Sequence, residues 1–467
     1  MECKTFIPYL FTTLTHTLGR FRWVYCQLDY LGKCLPGRIQ HALIELPETL
    51  DGTYERTLRE INNTNWEFAR RLLLCVAVVS HPLRVEELAE FLAFDFEEGQ
   101  IPKYREDWRL EDPLEAVLST CSTLLALIDV DDSPVIQFSH FSVKEFLMSS
   151  RFAAKRDTIS YHYHISMTPA HTLVAQACLG ILLHLDENVT RDSLQRYPLA
   201  EYAAKHWVDH ARFEGVSKVV EDGMNQLFEP NKPHLAVWVG IHDPGDSMEA
   251  SRPATSLTGQ PSPFGVNPRG SNASQRLIRR VERPLPPRGT PLHYAALCGF
   301  PTVVKFLVFE RLQDVHSRAF DDESTPLHWA SSGGHVETAR LLLDYGADVM
   351  AQDNNGSTPL HQASLSGSVE LVRLLIEYGA DAVAQDKKHG PTPLHLASRS
   401  GHPGVVQTLL THGAHANVRD NSCWTPLHFA SQEGHEEVVR LLLSYDENKG
   451  ALPIASDMKI TNQSARY

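Results

Sequence analysis

The chain has 467 residues, of which 42% are hydrophobic and 21% charged, with a formal net charge of −14. This is the composition of an ordinary soluble protein of two or three domains, and the acidic balance weighs against a nucleic-acid binder, which needs a basic face for phosphates. No apolar run approaches the roughly 18–20 residues that span a bilayer, and the opening MECKTFIPYLFTTLTHTLG lacks the basic start and long apolar core of a secretory signal.

Eight cysteines (Cys3, Cys26, Cys34, Cys75, Cys121, Cys178, Cys298 and Cys423) form no CxxC pair and fall mostly within apolar helical runs. Reduced, buried thiols behave this way in the cytosol. The chain therefore reads as intracellular, with a cytoplasmic location, and a sequon such as Asn188-Val189-Thr190 is a chance match.

In chain order, the first strong element is FARRLLLCVAVVS (Phe68–Ser80), a buried helix, apolar on all sides. His81-Pro82 stops it, because proline lacks an amide donor and disfavours helix in the residue before it. VEELAEFLA (Val85–Ala93) is a second, amphipathic helix. Asp112 caps a third, PLEAVLSTC, with Pro113 in its first turn. Two strand-like runs follow, Leu124–Asp129 and Val135–His140, joined by the turn segment VDDSP. Three helices and a two-stranded wing make a winged-helix arrangement, and Val143–Ser150 starts the next helix.

Five words in this half stand out: FRWVYCQLDYL (Phe21–Leu31), LPETLDGTYERTLREI (Leu46–Ile61), VIQFSHFSVKEFL (Val135–Leu147), HTLVAQACLGILL (His171–Leu183) and LAEYAAKHWVDHAR (Leu199–Arg212). Together with the repeats described below, they resemble fungal NACHT-type proteins with ankyrin repeats, a branch of the STAND signalling NTPases. The resemblance covers most of residues 21–240 and then 290–445. It implies that the first two words close a nucleotide-binding module, and that the next region is similar to the winged-helix domain named after GPI inositol-deacylase. That name carries no hydrolase with it, since function lives in sites and not in fold labels. Residues 1–20 match no part of the pattern.

A NACHT module needs the loop GxxxxGK[ST], whose backbone amides cradle phosphates. Here Gly32-Lys33 is followed by Cys34, and Gln27 stands where the leading glycine belongs. ATPase or GTPase activity is therefore not carried over from the family, and no cofactor is expected.

Residues 242–289 change texture. They are dense in Pro, Gly and Ser and read as a disordered linker. Its basic end, RLIRRVERPLPPR (Arg276–Arg288), reads as a solvated linker end or a degenerate capping helix in preference to a docking patch.

Thr-Pro-Leu-His then occurs five times, starting at Thr290, Thr325, Thr358, Thr392 and Thr425, at separations of 35, 33, 34 and 33 residues. This is the period of ankyrin repeats, helix pairs stacked into a solenoid. Thr is a good N-cap, Pro suits the first helical position, Leu faces the neighbouring repeat and His bonds loop backbone. Nine residues after each Thr stands a glycine (Gly299, Gly334, Gly367, Gly401, Gly434), as a left-handed helix end requires. Gly346-Ala347-Asp348, Gly379-Ala380-Asp381 and Gly413-Ala414-His415 close the middle repeats, and Asp353-Asn354-Asn355-Gly356 supplies turn residues for a projecting finger. Arg311 and Asp446 replace the closing glycine in the flanking repeats, as terminal repeats are atypical. The array is expected to end in a weak cap.

The five histidines lie on successive repeats and do not converge on a metal. His206 and His210, at i and i+4, lack a third ligand, and Tyr161-His162-Tyr163-His164 reads as packing or exposed polar surface. His435-Glu436-Glu437-Val438-Val439 fails the HExxH pattern, and no GxSxG elbow occurs. The expected fold class is mainly α: a helical region with a winged-helix domain, followed by an ankyrin α-solenoid. The expected segments are an unassigned N-terminus (1–20), the helical end of a NACHT-like module (21–62), a winged-helix domain (63–152), a helical region (153–241), the linker (242–289), five repeats (290–445) and a tail (446–467).

In ankyrin solenoids, partners meet the finger tips and the first-helix face. Those positions here are Asp322, Ser324, Asn354, Asn355, Lys388, His389, Trp424, Leu365, Arg399, Gln432 and Glu433, with Trp329 and Phe429 at the groove edge. Trp424 and Arg399 are the favoured hot-spot types. The expected function is a non-enzymatic scaffold or sensor that binds a protein through its repeats, in intracellular signalling or innate-immunity-like recognition. The alternative is a fragment of a STAND signalling NTPase whose nucleotide module is missing. DNA binding ranks last, because the candidate recognition helix Pro113–Cys121 has Glu111 and Glu115 nearby and no Arg or Lys.

Overall fold

The computed structural model describes residues 46–61, 65–96, 101–121, 124–130, 133–245, 287–387 and 390–448. The expectations for residues 1–45, including the Gly32-Lys33 loop, for 446–467 beyond Asn448, and for the core of the 242–289 stretch lie outside these. The described fold is mainly helical, a winged-helix domain followed by an ankyrin solenoid. It divides into two units at Gly223/Met224, with residues 186–188 grouped with the second.

In the first unit, α1 (Leu50–Glu60) is capped by Thr49, whose hydroxyl accepts the Gly52 amide at 3.1 Å. α2 (Trp66–Val78) buries Ala69, Leu72, Leu73, Leu74, Cys75 and Ala77 and ends before His81-Pro82, as the proline requires. A short strand β1 (Leu83–Arg84) leads into α3 (Val85–Glu90), which tightens into a 3₁₀ turn over Phe91–Ala93. The Glu87 carboxylate accepts the Arg84 amide at 2.7 Å and so caps α3. Strands β2 (Phe94–Asp95) and β3 (Lys103–Tyr104) pair antiparallel. α4 (Pro113–Cys121) starts as expected, with Asp112 accepting the Glu115 amide at 2.9 Å.

The wing is an antiparallel pair, β4 (Leu125–Val130) and β5 (Ser133–Phe138), in a register running from Leu125 opposite Phe138 to Val130 opposite Ser133. β1 adds to the free edge of β5, Leu83 opposite Ile136, giving a three-stranded sheet of order β1-β5-β4. Helix α2, strand β1, helices α3 and α4 with the β2–β3 pair between them, and then the β4–β5 wing give the winged-helix topology.

Helices α5 (Phe141–Leu147), α6 (Ser150–Ala154), α7 (Thr158–Tyr163), α8 (Met167–His184) and α9 (Leu199–Ala211) complete this unit. Val174, Cys178, Ile181 and Leu182 of α8 and Trp207 of α9 are fully buried. The buried carboxylate of Glu90 ties the winged helix to α9: it accepts the Tyr104 hydroxyl at 2.8 Å and the Leu199 amide at 2.9 Å, with the Arg109 guanidinium 3.3 Å away. His206 and His210 are used in packing. His210 Nε2 lies 2.8 Å from the Tyr202 hydroxyl and its Nδ1 2.9 Å from His171 Nδ1, while His206 Nδ1 lies 3.1 Å from the Ser80 hydroxyl.

The second unit begins before the repeats. Leu227, Phe228 and α10 (His234–Ile241) pack onto the first of them, with the fully buried Trp238 set 5.9 Å from the Phe228 ring and 6.3 Å from that of Tyr294. The helical region read over 153–241 thus divides at Gly223, and its last helix belongs with the solenoid. The reason is the sequence of α10, HLAVWVGI, which is apolar on every side and needs cover on every side.

The five helix pairs are α11 (Pro291–Cys298) with α12 (Pro301–Lys305), α13 (Pro326–Ser332) with α14 (Val336–Asp344), α15 (Pro359–Ser366) with α16 (Val369–Glu377), α17 (Pro393–Arg399) with α18 (Pro403–Thr411), and α19 (Pro426–Gln432) with α20 (Glu436–Asn448). α12 continues as a π turn over Phe306–Glu310. The five glycines nine residues after each Thr all have left-handed φ, between 69° and 79°. Gly367 shows a second reason for its size: a Cβ there would stand 2.6 Å from the His402 ring of the next repeat.

Candidate protein-binding face

Each of the first four repeats is held to the next by its TPLH histidine. Nδ1 of His293, His328, His361, His395 and His428 accepts the amide of its own repeat's threonine at 3.0–3.2 Å and lies 2.7–3.0 Å from the same threonine's hydroxyl. A nitrogen that accepts from an amide carries no proton, so in the neutral ring the proton is on Nε2. Nε2 then donates to the carbonyl just before the next TPLH: His293 to Ser324, His328 to Ser357, His361 to Pro391 and His395 to Trp424, at 3.0–3.2 Å. Burial brings the imidazoles of His293, His328 and His361 down to about 4 and lowers that of His395.

A second histidine set points back along the stack. His335, His402 and His435 reach the carbonyls of Leu297, Leu365 and Arg399 in the preceding repeats at 2.8, 3.1 and 2.9 Å. The recurring Gly-His pair (Gly334-His335, Gly401-His402, Gly434-His435) carried this signal in the sequence, but the reading of TPLH did not extend to it.

These clamps fix where the finger residues stand. Asp322, Asp353 and Asp420 fold their own fingers: each Oδ1 accepts backbone amides two residues on and, in the last two, four residues on, at 2.8–2.9 Å. Asn354 is exposed and Asn355 half-buried. Leu365 and Arg399 are half-buried on the first-helix face, and Gln432 and Glu433 are exposed at its far end. Lys388 and His389 lie outside the described residues.

Ser324 departs from the expectation of a contact residue. Its side chain is buried, donates to Asp322 Oδ1 at 2.6 Å and accepts the Trp329 indole N–H at 2.6 Å. It positions the indole and does not itself face a partner.

The face carries two aromatic groups. Trp329 stands edge-on to Tyr294, ring centres 5.0 Å apart, and to His293 at 5.3 Å. Trp424 and Phe429 sit 5.2 Å apart in the fourth and fifth repeats, both half-buried. The sequence-assigned positions thus fall into an Asp322–Ser324–Trp329 group, a Trp424–Phe429 group and a polar stretch between.

Two residues that the sequence reading left to the linker and the repeat break belong to this architecture. Arg288 donates through Nε to Asp243 at 3.0 Å, and its NH1 lies 3.8 Å from Asp321 of the first finger. Both described ends of the 242–289 stretch therefore meet at the first repeat. Arg311, where a closing glycine is missing, donates to both carboxylate oxygens of Glu229 at 2.7–2.9 Å. The break in the consensus is used to hold the segment that covers the first repeat.

Residues 292–386 and 383–452 each match the family described as ankyrin repeats (3 copies), and residues 55–157 match the family described as GPI inositol-deacylase, winged helix domain. The chain is 27% identical over 321 residues to the azaphilone pigments biosynthesis cluster protein L of Monascus ruber, which covers 66% of this chain and 61% of that protein. It spans about three fifths of that relative's length. Shorter stretches are similar to the E3 ubiquitin-protein ligase XBAT32 of Arabidopsis thaliana (37% over 86 residues; 13% of this chain, 17% of that one) and to the human SMC5-SMC6 complex localization factor protein 1 (42% over 66 residues; 14% and 6%). Among the described residues, no helix is long and apolar enough to cross a membrane and no group of three or more His, Cys, Asp or Glu could hold a metal ion.

Proposed function

We propose that this chain is a non-enzymatic scaffold or sensor that binds a protein partner through the finger tips and first-helix face of its ankyrin repeats, in an intracellular signalling or innate-immunity-like setting. The single observation that carries the reading is the clamped stack itself. Histidine bonds in both directions hold five repeats in register, which leaves the finger tips and the T-plus-seven and T-plus-eight positions free to vary without disturbing the core. Trp424 and Arg399 stand on that surface and are residue types that dominate binding energies.

A cytoplasmic location fits the buried free thiols Cys75, Cys178 and Cys298. The winged helix is read as a coupling module and not as a DNA reader, since α4 has Glu115 in its first turn and no cation. The test is recovery of partners from the source cells with the intact chain, Trp424→Ala and Arg399→Ala, folding checked by circular dichroism. Loss of the same partners in both variants supports the reading; unchanged recovery sinks it.

A further inference from the structure

Strand β4 is an outer edge of the three-stranded sheet β1-β5-β4, and its register fixes which backbone groups face outward. Asp129 stands opposite Pro134, which has no amide hydrogen to donate. In an antiparallel ladder, hydrogen-bonded pairs alternate with pairs that share no bond, so the pairs at Asp129 and Leu127 are of the second kind. The Ser139 amide, donated to the Leu124 carbonyl at 2.9 Å, follows the same alternation. The amides and carbonyls of Leu127 and Asp129 therefore point away from β5. Among the described residues no turn, cap or further strand takes them up.

The side chains leave the same edge bare. Leu125 is buried, but every residue from Leu127 to Val130 is exposed. Leu127 (40% exposed) lies on one face of the sheet, and Ile128 (38%) and Val130 (47%) lie on the other. Sheet edges are usually blunted by lysine, proline, a bulge or extreme shortness. The opposite edge, β1, is only the two residues Leu83 and Arg84. β4 has six residues in an unbroken register, with no Pro, Lys or Arg. Its one charge, Asp129, pairs with no cation among the described residues. Outward donors and acceptors between apolar side chains on both faces suit the addition of a strand.

We propose that the bare edge of β4 receives an extended segment of a partner protein as a fourth strand. That segment carries apolar residues beside Leu127, Ile128 and Val130 and a Lys or Arg opposite Asp129. Charge selects this occupant over a second copy. β4 holds no cation to set against Asp129, and the net charge of −14 on each chain opposes self-pairing. The surface lies in the first unit and takes a partner of its own, so it goes beyond the reading of the repeats and stands or falls apart from it.

The test uses the full chain and three fluorescein-labelled peptides in fluorescence anisotropy: GSGVKVVTGSG, its charge twin GSGVEVVTGSG and its proline twin GSGVKVPTGSG. Paired antiparallel, the lysine falls opposite Asp129, and the proline removes the amide due to the Leu127 carbonyl. The first peptide is expected to bind, the charge twin about tenfold more weakly, and the proline twin not at all. Leu127→Pro should weaken binding by about tenfold or more, because proline there removes the outward amide and leaves the bonds to β5 in place. Asp129→Lys should reverse the order of the lysine and glutamate peptides. Glu437→Lys, the same charge change on the last repeat, should not. Melting curves check that each variant folds, and the Asp129→Lys reversal carries the test if Leu127→Pro does not. Binding of none of the peptides, equal affinity for the charge twins, or an order unmoved by Asp129→Lys overturns the proposal. So does a dimer of the free chain in light scattering that Leu127→Pro dissolves, which would give the edge to a second copy.

Discussion

His328 joins two repeats with one ring: Nδ1 takes the Thr325 amide at 3.1 Å and Nε2 gives its proton to the Ser357 carbonyl at 3.0 Å. The same imidazole therefore caps its own helix and sets the spacing to the next. Because Nδ1 is an acceptor, the clamp exists only with a neutral ring.

Removing such a clamp from the middle of the stack should cost more than removing the last one. His361→Ala deletes a fully buried ring and both of its bonds, a loss of about 2–4 kcal/mol. His428 is half-buried and, among the described residues, keeps only its Thr425 bonds, so His428→Ala should cost clearly less. Urea unfolding followed by circular dichroism compares the two.

Acid should loosen the solenoid. The unfolded imidazole has its ordinary value of 6.5, whereas His293, His328 and His361 are held to about 4 in the folded state. Between those values the unfolded chain binds more protons, so stability is fully present above about 6.5 and falls as the pH drops toward 4, by roughly 1–2 kcal/mol per histidine at pH 5. Thermal melts from pH 7.5 to 5 should show a falling midpoint, and His361→Gln should flatten part of the slope.

Two fingers carry strain that glycine would relieve. Two residues before each TPLH the backbone is left-handed in four fingers, on Gly356 and Gly390 but also on Glu323 (φ 55°) and Cys423 (φ 64°). Cys423 is exposed. Cys423→Gly should therefore stabilise by about 1 kcal/mol, the cost of a side chain in that region. In contrast, Gly367→Ala must meet both the φ penalty and the His402 ring, and should destabilise more than Gly379→Ala, where a Cβ meets nothing within 4 Å.

The segment before the repeats should prove part of their fold. Trp238→Ala empties a fully buried site against Tyr294, an expected loss of about 3–5 kcal/mol. Hydrogen exchange should then accelerate first in α11 and α12. Equal protection there in the variant and the parent chain would show that the first repeat stands without this cover.

How much of this was legible in the chain depends on the range of the signal. TPLH and the left-handed glycines are local rules repeated five times, and the structure follows each. β1 escaped because two residues show no alternation; its pairing is set by β5, 53 residues away at Leu83 opposite Ile136. β2 and β3 escaped for the same reason. α10 was read as belonging to the preceding helices because its partner surface, Tyr294, lies beyond the 242–289 stretch. Ser324 was placed on the surface by its offset from TPLH, but the Trp329 indole draws its hydroxyl inward. Arg288 and Arg311 looked like a linker charge and a failed consensus; only their partners, Asp243 and Glu229, give them a role.

On the proposed function the repeats carry recognition, and the chain takes no nucleotide step. Isothermal titration of the purified protein with ATP and with GTP should give no binding heat, and micromolar affinity for either would favour a signalling NTPase.

The most direct measurement is hydrogen exchange on the full chain with and without its co-purified partner. Protection is expected at the fingers and first-helix faces, residues 321–332, 353–366 and 420–433, with residues 65–157 unchanged. Protection confined to the winged helix, with the fingers exchanging as in the free chain, would contradict the assignment.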